Sequence, residues 1–410
     1  MEKLYFLNFV INGHPLFKKN TSISTFAKSK VFMDDEGVTN LFNNLYFNNV
    51  IALTGKNATG KTTLLKLIIG TLNLLTNPDT QIIKSTCLTE VLRKNNPVNM
   101  EIYFYGTDKK IIKDEISFDI DSETNEWIIS SEKIYEKKIS KSTRKKHIFD
   151  FDKEKLPVFD REEISDQLGN KFPHNISIFN VFYRSKYKIQ RVYEKLFTTN
   201  INAVLVKEET VSPELLNYLD PSIEYLKVCS QETESGNTAY YKLKFKNSSR
   251  EITEYNFATL MRYLSSGTQK AITLYDMVLN TLKKGGILFV DEIENHFNTE
   301  IVKDFINFFK DPSINVHGAV LIFSTHYSEM LDDIERNDNI YITNRTDKVE
   351  LFRYSDLNIR SDFSKTEVYK ASSIKVPNSS DIVKTSPSYD AYIGLKRATK
   401  SLVRDEKKNG

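Results

Sequence analysis

Nine consecutive residues, Gly55, Lys56, Asn57, Ala58, Thr59, Gly60, Lys61, Thr62 and Thr63, have the composition of a phosphate cradle. Gly55, Gly60, Lys61 and Thr62 fill the pattern G-x-x-x-x-G-K-[ST], in which a glycine-relaxed backbone turns successive N–H groups toward the phosphates of a nucleotide. In such a loop Lys61 reaches the β- and γ-phosphates and the Thr62 hydroxyl holds Mg²⁺. The cradle works only between a strand and a helix. Ile51, Ala52 and Leu53 read as a central strand before it, and Leu64, Leu65, Leu67 and Ile68 as a helix after it, whose positive N-terminus adds to the attraction for an anion.

Three further stretches carry groups that a phosphate cradle needs. In GGILFVDE an apolar strand, Ile287 to Val290, runs directly into Asp291 and Glu292. In GAVLIFSTH another, Val320 to Phe323, runs into Ser324, Thr325 and His326. Unbroken apolar strands belong inside a parallel sheet covered on both faces, and their polar ends emerge at its C-terminal edge, where the cradle also lies. There Asp291 would share Mg²⁺ with Thr62, Glu292 would act as general base on an attacking water, and His326 would hydrogen-bond the γ-phosphate. The third stretch, LSSGTQK from Leu264 to Lys270, opens a helix predicted to run to about Leu282. Ser265 and Ser266 are its cap candidates, and Ala271, Leu274, Tyr275, Val278 and Leu282 share one face.

The chain that positions these groups has 410 residues, enough for two or three domains or one large core with an insertion. Its 40% hydrophobic and 27% charged residues exclude wholesale disorder, and a net charge of +3 is too small to argue globally for nucleic acid. Cys87 and Cys229 lie far apart with no Cys or His at metal-ligand spacing beside them, so neither a disulfide framework nor a zinc site is expected. The first residues lack the features of a signal peptide and no run approaches the ~20 apolar residues of a membrane span. A cytoplasmic protein with no membrane partner is the expectation.

Before the cradle, Leu4 to Ile11 and Val31 to Met33 read as strands of a small β-layer over the nucleotide, in which Phe17 or Phe26 either stacks on a base or packs the core. After the turn at Asn77 to Asp79, the block from Asn99 to Tyr135 alternates β-branched and aromatic residues between turns at Gly106 to Lys109 and Asp121 to Asn125, the pattern of an antiparallel meander. Lys133, Lys137, Lys138, Lys141, Arg144, Lys145 and Lys146 then give a basic stretch that is either a solvated tip or a contact for a phosphate backbone. Further on, Val192 to Phe197 and Glu214 to Leu219 read as helices and Tyr240 to Phe245 as a half-buried strand. The tail offers an amphipathic helix using Tyr392, Ile393, Leu395 and Leu402, which either docks a partner or packs on its own domain.

The order GKNATGKT, LSSGTQ, ILFVDE and STH resembles the ABC class of ATPases, in its soluble SMC-like branch. The resemblance implies an α/β fold, an ABC-type ATPase head with a mixed central sheet, an antiparallel β subdomain and a short, partly helical insertion. It implies ATP and Mg²⁺ as cofactors. In that class two heads pair head to tail, and Ser265, Ser266 and Gly267 would form the signature that closes in trans on the γ-phosphate held by the other copy. Ser266 stands where glycine is usual and Thr268 at the acidic or Gln position. A coupling glutamine is expected, with Gln167 and Gln190 both open as candidates.

A narrower resemblance rests on DEIENHFN from Asp291, the β-block ending SEKIYEKK, and NIYITNRTDKVELFRYSDLNIRSDFSK from Asn339. These look like the AAA-labelled ATPases related to the overcoming-lysogenisation-defect family, a group that includes ATPase subunits of Septu, retron-associated and abortive-infection anti-phage systems. Some relatives carry a Toprim nuclease, but the stretch after His326 lacks its E and DxD set, so that domain is expected to be absent. The resulting expectation is an ATPase that forms a homodimer, or a higher even-numbered assembly, around two ATPs and regulates a separate effector protein, a nuclease or toxin. The alternative is a DNA-repair or chromosome-maintenance ATPase that binds nucleic acid through Lys137 to Lys146. The expected division is residues 1–98 and 250–345 for the two parts of the ATPase domain, 99–249 for the meander and helical insertion, and 346–410 for a C-terminal extension.

Overall fold

In the computed structural model the described residues are 1–77, 87–93, 97–152, 156–169, 172–196, 211–233, 236–295, 298–357, 359–360, 363–371, 373–377, 382–385 and 393–399. The architecture is mixed α/β. Its central sheet runs in the order Val192–Lys195, Ile287–Val290, Val320–Thr325, Val50–Gly55, Ile340–Arg345 and Val349–Arg353. The first five strands are parallel and the last turns back antiparallel, so the sheet is mixed.

The apolar runs are unbroken because both faces of this sheet are covered, and alternate residues serve different cores. Ile51, Leu53, Ile287, Phe289 and Ile322 join one cluster with the Lys61–Thr76 helix and the N-terminal strand. Val50, Ala52, Leu288, Val290 and Phe323 join a second with the helices Ser266–Lys284 and Thr299–Lys310. Burying a Leu or Ile side chain in either is worth about 1.5–3 kcal/mol, so the sheet is fixed from both sides. No helix among the described residues is long and apolar enough to cross a membrane.

The meander forms as its alternation predicts, from Val98–Gly106, Lys110–Ile120 and Trp127–Lys138. Both turns place a non-glycine residue at positive φ, Lys109 at 64° and Asn125 at 56°. The long strand Glu2–Asn12 adds to its edge, antiparallel to Val98–Gly106, and pairs with Tyr187–Ile189 on its other side. That long-range pairing leaves no local mark in the sequence. A further sheet combines Ile223–Thr233, Gly236–Phe245 and Glu251–Glu254, and includes the predicted strand at Tyr240.

Two expectations fail. Val192–Lys195 is a strand, not a helix, because it pairs in parallel with Ile287–Val290. Four half-buried residues have no helical preference strong enough to resist that pairing. Residue 197 lies outside the described residues. Val31 to Met33 is a loop with Phe32 and Met33 exposed. The helix after Pro213 spans Pro213–Leu219 as read. Of the tail helix, residues 393–399 are helical with Leu395 exposed, while Tyr392 and Leu402 lie outside the described residues, as do residues 78 and 79 of the predicted turn.

Candidate nucleotide-binding site

The phosphate loop leaves Val50–Gly55 and enters the Lys61–Thr76 helix. Its sharp turns require positive φ at Ala58 (60°) and at Gly60 (84°), which caps the helix. Gly55 sits at φ 148°, and a Cβ there would lie 2.1 Å from the Thr343 hydroxyl, so no side chain fits. From behind, Thr343 braces the loop. Its hydroxyl lies 2.6 Å from that of Thr59 and donates to the Thr54 carbonyl at 3.1 Å.

Lys61 Nζ donates to the carbonyls of Gly55 (2.7 Å) and Lys56 (2.9 Å), folding the ammonium against the loop. Burial pushes this group down to about 8, while Asp291, Glu292 and Glu294 pull it back up. It is a cation held close to losing its proton, ready to gain from an arriving phosphate.

The parallel register aligns the remaining groups. Val290 pairs with Phe323 and Phe323 with Ala52, so Asp291, Ser324 and the start of the loop come level at one sheet edge. Asp291 takes the Thr62 hydroxyl on Oδ2 at 2.6 Å and the Ser324 hydroxyl on Oδ1 at 2.5 Å. The Ser324 oxygen also accepts the Glu292 N–H at 2.7 Å. Glu292 itself has φ 49°, a left-handed conformation that non-glycine residues seldom adopt. Such strain persists only where the surroundings impose it, and here Ser324 does so. The Glu292 carboxylate lies 3.4 Å from His326 Nε2 and 3.4 Å from Asn295 Nδ2.

Asn57, Ala58, Thr59, Gly60, Lys61, Thr62 and Thr63 line a cleft of ≈ 260 Å³ together with Glu292 and His326. Four separate sequence motifs were expected to meet, and three do so within one chain. Ser265, Ser266 and Gly267 do not line the cleft. Ser265 instead caps the Ser266–Lys284 helix, its oxygen accepting the Thr268 N–H at 3.0 Å, and it lies exposed with Ser266 at the helix N-terminus. The donor set suits a hard cation. The Thr62 hydroxyl and Asp291 carboxylate, already in contact, are the oxygens Mg²⁺ takes from protein while keeping waters and phosphate for the rest of its shell.

Two glutamine candidates find other work or none here. Gln190 is buried and acts as a strut, accepting the Phe6 N–H at 3.0 Å and donating to the Gly285 carbonyl at 3.1 Å. Gln167 is exposed on the Arg161–Leu168 helix. Phe17 and Phe26 are both buried, so core packing accounts for each. Three residues were not singled out by sequence. Thr343 braces the loop, Glu294 accepts the His326 N–H at 2.6 Å, and Lys195 donates to the Lys270 carbonyl at 3.1 Å and Thr273 Oγ1 at 2.9 Å. Lys195 is pushed down to about 7, first by burial and then by Lys270. Only Glu294 had a signal, its place three residues after Asp291 in DEIE.

A parallel-sheet edge bearing a glycine loop, a lysine, an Asp–Thr pair and a Glu–His pair defines a nucleotide-binding α/β protein. The chain belongs to the family described as "AAA domain, putative AbiEii toxin, Type IV TA system", whose pattern it matches over residues 50–332. Among curated proteins no relative matches the chain. Among solved structures it is similar to the recombination mediator protein RecF with ATPrS, from the RecFOR pathway, at 11% identity and a TM-score of 0.39 over 86% of this chain and 99% of that one. That likeness is too distant to transfer function.

Proposed function

We propose that this chain binds and hydrolyses ATP, and that the observation carrying this reading is the convergence of Lys61, Thr62, Asp291, Glu292 and His326 on one cleft at the end of the central sheet. Loop N–H groups and Lys61 bind the β- and γ-phosphates. Glu292 takes the proton of a water attacking the γ-phosphate in line, and His326, held by Glu294 through its backbone, donates a hydrogen bond to the γ-phosphate. Mg²⁺, held by Thr62 and Asp291, would supply charge neutralisation of the phosphates. The exposed Ser265 and Ser266 and the half-buried Gly267 then serve a second copy, whose cleft they cap, so ATP makes a homodimer or a higher even-numbered assembly.

The family description, with its toxin–antitoxin wording, supports a role as the sensor or regulator of a separate nuclease or toxin effector in anti-phage defence. The test is to purify Glu292→Gln from its host with ATP and Mg²⁺, and to measure its mass in solution and its bound partners. A dimer formed only with ATP, carrying a stoichiometric effector, is the expected result. A monomer at saturating ATP refutes the sandwich, and a dimer with no second protein refutes the effector reading.

A further inference from the structure

The basic stretch after the meander is not consumed by the ATP site, and the structure divides it. Lys133 pairs with Asp160 at 2.9 Å, and Lys137 donates to the carbonyls of His147 (2.7 Å) and Asp150 (2.6 Å). Lys133 thus ties the last meander strand to the segment at Asp160, and Lys137 holds the turn together. Lys141, Arg144 and Lys146 stand exposed on that turn. Asn43 Nδ2 donates to the Lys141 carbonyl at 3.3 Å, joining the turn to the hairpin Val38–Phe42 and Leu45–Asn48.

Between turn and hairpin lies a cleft of ≈ 570 Å³, larger than the one at the phosphate loop. Lys30, Lys141, Arg144 and Lys145 line it from two distant parts of the chain, with Phe42 and Tyr46 on the hairpin side, and none of its described lining residues is acidic. A second cleft of ≈ 330 Å³ shares Lys145 and adds Lys28, Lys146 and Arg353 beside Phe149 and Tyr341, with Asp356 its one acid. Asp356 is paired with Lys28 at 2.7 Å. Lys145 Nζ donates to the Ser29 carbonyl at 3.0 Å, joining the two walls.

We propose that these joined clefts bind single-stranded nucleic acid. Cations spaced along a groove match a run of phosphates, and the half-buried side chains of Phe42, Tyr46 and Phe149 between them offer faces for unpaired bases. A duplex keeps its bases stacked and would use only the cations. The assignment is independent of ATP hydrolysis and of any effector. It also offers a connection. Tyr341 lines the second cleft, and Thr343, two residues further on the same strand and hence on the same face, braces the phosphate loop through Thr59.

The test is fluorescence anisotropy with a labelled oligothymidylate, titrated at several salt concentrations. Four phosphate contacts give a slope of log K against log salt of about −2.8, or a loss of roughly fifty-fold in affinity between about 50 and 200 mM salt. Lys141→Ala combined with Arg144→Ala should make the slope shallower by about 1.4. Tyr46→Ala should weaken binding at least about fivefold and leave the slope unchanged. Circular dichroism establishes that each variant folds. Should the double variant fail to fold, Lys30→Ala on the separate wall carries the slope test, with a change of about 0.7. Unchanged binding by the folded double variant overturns the proposal. So does tighter binding of duplex than of single strand, or displacement of the oligonucleotide by inorganic polyphosphate as effectively as by unlabelled oligonucleotide.

Discussion

Ser324→Ala tests the geometry of the site more sharply than replacement of any group proposed to touch the nucleotide. The Ser324 hydroxyl is fully buried; it donates to Asp291 Oδ1 at 2.5 Å and accepts the Glu292 N–H at 2.7 Å. One atom thus aims the carboxylate proposed for Mg²⁺ and fixes the strained backbone of the proposed base. Removing it deletes a hydrogen bond to a charged group, worth about 1.5–3 kcal/mol, and leaves the Glu292 N–H with no acceptor, at about 1–3 kcal/mol. Part of this returns as Glu292 relaxes from φ 49°, a conformation costing on the order of 1–3 kcal/mol to hold. The expected net loss of folding stability is therefore modest, about 2–3 kcal/mol. The loss in turnover should be larger in proportion, about 100-fold in kcat, because a misplacement near 1 Å of a positioned group costs that much. KM for ATP should change little, since the loop and Lys61 are untouched. Phosphate release under saturating ATP and urea unfolding measure the two effects. Wild-type kcat in a variant that has lost stability would refute the positioning argument, and a rise in KM at constant kcat would place Ser324 in binding instead.

Other expectations are shorter. Lys61→Ala should abolish ATP binding measured by calorimetry; retained affinity sinks the assignment of the loop. Glu292→Gln should bind ATP with near wild-type affinity and turn over at least about 100-fold more slowly, and equal turnover would show that Glu292 is not the base. Because Lys61 in the free protein is pushed down to about 8, ATP affinity should weaken as pH rises through 8 to 9, by at most about tenfold per unit; a flat profile over that range contradicts the buried, phosphate-facing ammonium. Asp114 is fully buried among Glu132 and Arg161 with neither oxygen hydrogen-bonded, and burial raises it well above its ordinary 3.8. The folded chain then keeps a proton that the unfolded chain has lost, so stability falls as pH rises from about 4 toward the folded value, by at most ~1.4 kcal/mol per unit. Asp114→Asn should flatten that slope in urea titrations, and an unchanged slope would assign it to another group.

What the sequence discloses and what it withholds divide along one physical line. The phosphate loop, the strands ending at Asp291 and Ser324, and the helix opening at Ser266 were legible because each is specified by its own residues: glycines where φ is positive, apolar runs where both faces are covered, a serine where an N–H lacks an acceptor. The meander was legible for the same reason. The N-terminal strand was legible at Leu4 to Ile11, but its place in the meander's edge was not, since its partners, Val98–Gly106 and Tyr187–Ile189, are chosen by long-range pairing. The failed helix at Val192 has the same origin.

The site repeats this division at the scale of atoms. Residues that would touch the nucleotide announce themselves through motif chemistry, whereas those that hold them in place do not. Thr343 is an ordinary strand threonine until the Ile340–Arg345 strand lies beside Val50–Gly55 and brings its hydroxyl to Thr59. Ser324 stood in view as a strand end, yet its double contact appears only when Val290 and Phe323 come into register. The basic stretch shows the converse. Seven cations looked equivalent in sequence, and folding sorted them: Lys133 and Lys137 bind the chain to itself, Lys145 does so through the Ser29 carbonyl while still lining a cleft, and Lys141 and Arg144 face that cleft, which Lys30 completes from more than a hundred residues away. Charge counted along a segment measures what is available for a partner only after the protein's own carboxylates and carbonyls have taken their share.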